Sequence, residues 1–277
     1  MWRKNNEPDP TQGIVAAHFD ADALARICEL DEEDFGEAFD LRRFDVDPDL
    51  LIRSRWSPDG DDFYFHRDNG SDVIAVAHLD TVMAATRRKA RFVDTEAGPI
   101  VFSGALDDRL GAYIILDLLP KLGINYDILL TVGEESGCST AQYFEPDKQY
   151  NWMIEFDRGG TDVVMYQYDD AEVRELVRNC GAEPDNGIFS DISYMDHLDI
   201  KGFNWGVGYH DYHGPKSHAY LLDTMSMVGK YTRFHEQNAG TYMPHDPKDT
   251  WESRWRRWRS SGSDDWFSDE SVVRMID

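Results

Sequence analysis

Unbroken apolar runs alternate along this chain with segments of helical spacing. VIAVAHLDTV (73–82) is apolar through its length and then turns polar, the pattern of a strand buried on both faces. IVFSGA (100–105), YDILLTVGEE (126–135), YNWMIEFDR (150–158), VVMYQYD (163–169), NGIFSDISYM (186–195) and GFNWGVGY (202–209) are further predicted strands. Between them, DRLGAYIILDLLPKL (108–122) predicts an amphipathic helix carrying Leu110, Ile114, Ile115, Leu118 and Leu119. AEVRELVRNCG (171–181) and SHAYLLDTMSMVGKYTRFHEQ (217–237) predict two more helices, and GCSTAQYFE (137–145) a short one. Near the start, residues 16–30 place Leu24, Ile27 and Leu30 at helical spacing. LIRSRWSPDGDDFYFH (51–66) predicts a hairpin turning at Ser57-Pro58-Asp59-Gly60. Alternation of this kind predicts an α/β fold, a three-layer sandwich around a largely parallel, mixed central sheet.

The pattern divides the chain into a loose polar N-terminus (1–13), one α/β domain (14–240) and a tail (241–277). In the tail, Trp251, Trp255 and Trp258 share a helical face among Arg254, Arg256, Arg257 and Arg259. A short helix docking its Trp face on the body accounts for this better than a nucleic-acid or lipid patch. The reason is charge: 53 Asp and Glu oppose 28 Lys and Arg, a formal net charge of −25. Such a surface repels phosphate backbones and anionic lipid, so neither nucleic acid nor membrane is an expected partner. Three separated cysteines supply neither a disulfide framework nor a thiolate zinc site. With no apolar leader and no run of membrane-spanning length, the expected location is the cytoplasm.

The chemistry collects at the ends of the predicted strands, where α/β sheets hold their ligands. The run 73–82 ends in His78 and Asp80, and the segment after IVFSG in Asp107 and Asp108. ILLTVGEES ends in Glu134 and Glu135, MIEFDRGG in Asp157, and GVGYHDYH in His210 and His213. Singly, each has a structural explanation; Asp107 and Asp108, for example, could cap a helix. Together, carboxylates crowded on one sheet edge with few nearby cations call for a metal counter-charge. Imidazole and carboxylate without thiolate suit zinc or a similar divalent ion at a catalytic site. Two tetrahedral sites with an open position each need about three protein ligands apiece, and five residues suffice if one carboxylate bridges.

The order and context of AHLDTV, GALDDRLGAYIILDLL, VGEESGCSTA, IEFDRGG and GYHDYH resemble the di-zinc exopeptidase superfamily. That group includes glutamate carboxypeptidase, tripeptide aminopeptidase and bacterial leucyl aminopeptidase types, and the resemblance covers about residues 50–239. It implies a zinc-exopeptidase-like (phosphorylase/hydrolase-like) fold and two divalent ions, zinc or else cobalt or manganese. It implies His78 and Asp157 on one metal, Asp107 as the bridge, and Glu135 and His213 on the other, with His210 competing for the last place. Asp80 would orient His78, Glu134 would be the general base, and the Asp107–Asp108 peptide would be cis.

Two departures matter. Only about fifty-five residues separate Asp157 from His213, too few for a lid or dimerisation insert, which favours a monomer. His218 stands near where the resembling enzymes often carry Glu, and is either a substrate contact or a helix N-terminal residue. FSDISYM (189–195) resembles a Ser-Asp motif beside the metals, so Ser190 and Asp191 are candidates to touch substrate, Asp191 by receiving an N-terminal ammonium.

The implied activity is hydrolysis of a peptide or amide bond, first as an aminopeptidase on short peptides. The alternatives are a carboxypeptidase or N-acyl-amino-acid deacylase, with Arg109 or Arg158 holding the substrate carboxylate, and an inactive binding relative.

Overall fold

The computed structural model describes residues 11–47 and 62–246. The chain opens with helices α1 (Gln12–His18), α2 (Ala21–Glu29) and α3 (Phe35–Ala38). The helix expected over 16–30 is thus two: Phe19 is extended, and the Asp20 carboxylate caps α2 by accepting the Ala23 N–H. Helix α1 also begins inside the segment expected to be loose.

Strands β1 (Arg42–Asp45), β2 (Phe63–Arg67) and β3 (Val73–His78) follow, then β4 (Arg91–Thr95) and β5 (Gly98–Phe102). The first arm and turn of the hairpin expected over 51–66 lie outside the described residues; within them, β2 pairs antiparallel with β1. Helix α4 (Leu106–Tyr113) runs on through a wider turn to α5 (Leu119–Lys121). Then come β6 (Asp127–Thr131), β7 (Trp152–Arg158), β8 (Asp162–Val164), α6 (Ala171–Asn179), β9 (Glu183–Asp185) and β10 (Gly202–Gly206). The chain closes with β11 (Tyr209–His210), β12 (His218–Tyr220) and α7 (Leu221–Asn238).

Eight strands form the central sheet in the order β1-β2-β6-β3-β7-β10-β8-β9. β3 pairs parallel with both β6 and β7, and β7 parallel with β10, so the middle of the sheet is parallel; β1 and β2 run against their neighbours, and β8 runs against β10 but parallel to β9. Every residue of β3, β6 and β10 is buried, as two covered faces require. Helix α4 packs on β3 and β7, and α7 on β10 and β5; α2 lies against α4, and α1 and α6 against α7. The result is the α/β fold with a mixed, largely parallel sheet that the pattern predicts.

Three local expectations change. Helix α4 is buried all round rather than amphipathic, because it is sandwiched between the sheet and α2. Residues 191–194 make a single 3-10 turn rather than a strand, held by reciprocal Ser190 and Ser193 bonds. β5, expected as part of the main sheet, belongs to a second sheet of four strands, β11-β12-β5-β4. His218 accordingly sits in β12 and not at a helix N-terminus.

The packed chain continues past residue 240. Met243 is buried, and its backbone bonds to Asn151 and Lys201. The Trp- and Arg-bearing part of the tail lies outside the described residues. Among the described residues, no helix is long and apolar enough to cross a membrane.

Candidate metal centre

The ends of β3, β6 and β7 and the turns after β5 and β11 converge. The Nε2 atom of His78 lies 3.2 Å from Asp107 Oδ1 and 3.7 Å from Asp157 Oδ1. The Nε2 atom of His213 lies 2.9 Å from Asp107 Oδ2 and 3.0 Å from Glu135 Oε2. Two groups of three donors therefore share Asp107, one oxygen to each. Metal–ligand bonds of about 2.1 Å around a tetrahedral ion set donor atoms ~3.4 Å apart, and these separations bracket that value. The donor set thus fits a divalent ion in each group.

Hydrogen bonds orient the donors. His78 Nδ1 faces the Asp80 carbonyl oxygen at 2.9 Å, an acceptor only, so Nδ1 carries the proton and Nε2 presents its lone pair to the cluster. The Asp80 carboxylate stands 3.6 Å from the same nitrogen, and its other oxygen accepts the Glu135 N–H at 3.1 Å. Asp80 therefore positions both the imidazole and the turn that carries Glu134 and Glu135. Asp157 accepts hydroxyl bonds from Tyr209 (2.7 Å) and Ser190 (2.9 Å), and its own N–H donates to Asn204.

At the start of α4 the Asp107–Asp108 peptide is cis, the conformation expected from the resemblance. The two side chains diverge: Asp107 faces the imidazoles, while Asp108 Oδ1 accepts the Gly111 N–H at 3.0 Å. A Cβ on Gly111 would lie 2.2 Å from that oxygen.

The electrostatics show the same demand for a cation. Burial, joined by repulsion from Asp107, pushes Glu135 up to about 7. Burial likewise carries Glu134 well above the usual carboxylate range, with Asp157, Asp191 and Glu135 adding to it. Burial works to raise Asp107 too, but His213 and His78 outweigh it and hold this carboxyl far below its ordinary value. In His213 burial is overcome by Asp107 and Glu135, which lift the imidazole to about 11. Glu135 Oε1 is buried with no hydrogen-bond partner among the described residues. The carboxylates thus draw positive charge toward the cluster, the demand that a divalent ion would meet.

Glu134 stands beside the donors, its Oε2 3.9 Å from His78 Nε2. The competitor His210 instead pairs with His218 across β11 and β12. His218 stacks on Phe102 and takes no place among the donors.

The secondary candidates change their meaning. Ser190 holds Asp157 rather than facing solvent. Asp191, expected to receive an ammonium, is fully buried, and both its oxygens are taken by the hydroxyls of Thr131 and Ser139. Arg158 is engaged by Asp162 and lies 3.6 Å from Asp185. Arg109 is wholly buried, its guanidinium 4.5 Å over the Phe35 ring and within reach of the Ile27 carbonyl. Neither arginine is available to a substrate carboxylate.

The sequence reading missed Tyr209 and Asn204, which fix Asp157, and Glu155. Glu155 is fully buried, and burial raises its carboxyl well above the usual range, with Asp157 and Asp191 reinforcing the shift. A carboxylate in the middle of the apolar run MIEFD was the available signal for Glu155.

The fold is one that solved aminopeptidase and tripeptidase structures share. The aminopeptidase PepT from Bacillus cereus superposes with a TM-score of 0.55 at 11% identity, over 82% of this chain and 98% of that one. A tripeptidase from Staphylococcus aureus gives 0.52 at 12% identity, over 82% and 99%. A glutaminyl cyclase from Tannerella forsythia gives 0.47 at 15% identity, over 81% and 95%. No protein-family model matches the sequence, and neither does any curated protein.

Proposed function

We propose that this protein is a metal-dependent hydrolase of peptide or related amide bonds, acting as an aminopeptidase on short peptides. The observation that carries the reading is the pair of three-donor groups sharing Asp107, with Glu134 beside them. His78, Asp107 and Asp157 would hold one divalent ion, and Asp107, Glu135 and His213 a second. When bound, such ions act as Lewis acids and make water a nucleophile near neutral pH. Glu134 accepts the proton of the attacking water and delivers it to the leaving amine. Its raised affinity for protons suits both halves of that exchange. Asp80 keeps His78 in the required tautomer, and Ser190 and Tyr209 keep Asp157 aimed at the cluster.

A carboxypeptidase or deacylase would hold a substrate carboxylate beside the scissile bond, but Arg158 is engaged by Asp162 and Arg109 is wholly buried. That favours the aminopeptidase. Turnover of peptides with a free amino terminus, of amino-blocked peptides with a free carboxy terminus and of N-acyl amino acids, assayed with zinc, tests the choice. Cleavage confined to free amino termini is expected; cleavage of the blocked substrates alone would move the assignment to a carboxypeptidase or deacylase.

A further inference from the structure

Seven residues, 132–138, join the end of β6 to Ser139, and they carry both Glu134 and Glu135. This loop is braced from within. The Gly137 N–H donates to the Glu134 carbonyl at 2.8 Å, and the Cys138 N–H to the Gly133 carbonyl at 2.8 Å. Gly133 and Gly137 hold the positive φ values, 86° and 68°, that so tight a return needs. A loop closed on itself in this way turns as one body. What fixes its two ends therefore fixes the direction of both glutamates.

Both ends are held by one carboxylate. Asp191 Oδ2 accepts the hydroxyl of Thr131 at 2.7 Å, and its Oδ1 accepts the hydroxyl of Ser139. Thr131 is the last residue of β6 and lies in register with His78 on β3, so this bond ties the loop to the strand end that presents the imidazole. Ser139 in turn accepts the Ala141 N–H and caps the turn beyond the loop. Asp191 is wholly buried, and the reciprocal Ser190 and Ser193 bonds fix the turn that carries it. A carboxylate can accept at both oxygens, and such charge-assisted bonds are shorter and stronger than those between neutral groups. The residue before it, Ser190, reaches the other donor group by donating to Asp157 at 2.9 Å.

We propose that Asp191 is a positioning residue that clamps the 132–138 loop, aiming Glu135 at the group formed with Asp107 and His213 and placing Glu134 beside it. The proposal rests on the metal-dependent reading. It divides the labour within one dipeptide: Ser190 supports the group of His78, and Asp191 the group of His213.

The test reads metal affinity, so it does not depend on turnover. Zinc dissociation constants for the two ions are measured by competition with a chelating dye, together with the thermal unfolding midpoint. The proteins compared are the unsubstituted chain, Asp191→Asn, Thr131→Val and Thr131→Ser. Asp191→Asn and Thr131→Val should each weaken one ion about 10–100-fold and leave the other unchanged, the scale on which partners of metal ligands act. Thr131→Val keeps the packing and Thr131→Ser keeps the hydroxyl, so a clamp predicts near-native affinity in the serine variant, and a packing role the reverse order. Combining Asp191→Asn with Thr131→Val should weaken that ion by less than the two losses added, because both remove the same bond. Unchanged affinities in Asp191→Asn, equal weakening of both ions, or a loss in Thr131→Ser as large as in Thr131→Val overturns the clamp. If Asp191→Asn does not fold, the two Thr131 variants decide the matter. Two bound ions with no hydrolysis of any peptide by the unsubstituted protein would instead fail the hydrolase reading, and the clamp would stand or fall on these affinities.

Discussion

In the eight-stranded sheet, His78 ends a strand whose six residues are all buried, Glu134 and Glu135 follow β6, and Asp157 lies at the end of β7 in the same covered layer. In the four-stranded sheet, Asp107 follows β5 through a Ser-Gly-Ala turn, and His213 hangs on a loop after a two-residue strand. Asp211 and His213 both adopt positive φ there, 51° and 60°, a conformation non-glycine residues hold only when their surroundings dictate it. The first region fixes its donors by core packing before any ligand arrives. The second carries its donors on a turn and a loop. Asp107 stands where the two meet, one oxygen toward each imidazole.

The largest effect is expected where both regions are cut at once. Asp107→Asn removes a donor from each group, so metal analysis should find well under one ion per chain and hydrolysis should fall to background. Retention of two ions would mean that the regions hold metal independently. Next comes Glu134→Gln, which touches neither group. Metal content should be unchanged while kcat falls roughly 10²–10⁴-fold, the range for loss of acid–base catalysis; near-native turnover would take Glu134 out of the mechanism.

Smaller still, Ser190→Ala and Tyr209→Phe each remove one hydroxyl from Asp157, Ser190 from beside the main sheet and Tyr209 from β11. Each should weaken zinc binding about 10–100-fold, as measured by competition with a chelating dye. A loss confined to Ser190→Ala would show that the second sheet contributes nothing beyond Asp107 and His213. The smallest effect is expected for His218→Ala, which sits in the second sheet outside the donors: kcat and metal content should both match the unsubstituted protein. A tenfold fall in kcat would require His218 to reach the substrate.

The contrast also explains what the sequence disclosed. β3, β6, β7 and β10 stand out because two-sided burial writes continuous apolar runs, and the polar residues that end such runs are conspicuous. Their convergence was therefore legible, and the match of whole motifs pointed to His213 over His210. The second sheet was not legible. Arg91–Thr95 carries little apolar signal, since most of its residues are exposed, so the hairpin to β5 went unseen and β5 was joined to the wrong sheet. Asp191 misled for a related reason: a Ser-Asp pair looks alike whether it faces ligand or core, and only the hydroxyls of Thr131 and Ser139 reveal an inward carboxylate. The partners Tyr209 and Asn204 lie far from Asp157 in sequence, where no local pattern can tie them to it.

Gly111 carries a consequence for how such a chain can change. The Asp108 carboxylate rests where a methyl group at position 111 would have to stand. No single replacement at 111, alanine included, is open while Asp108 keeps its place, and displacing Asp108 disturbs the residue joined directly to Asp107. Positions 108 and 111 are therefore coupled: a side chain at 111 requires the Asp108 carboxylate to move. A mutational library of this protein should therefore show glycine standing alone at 111, amid buried neighbours that accept other apolar side chains.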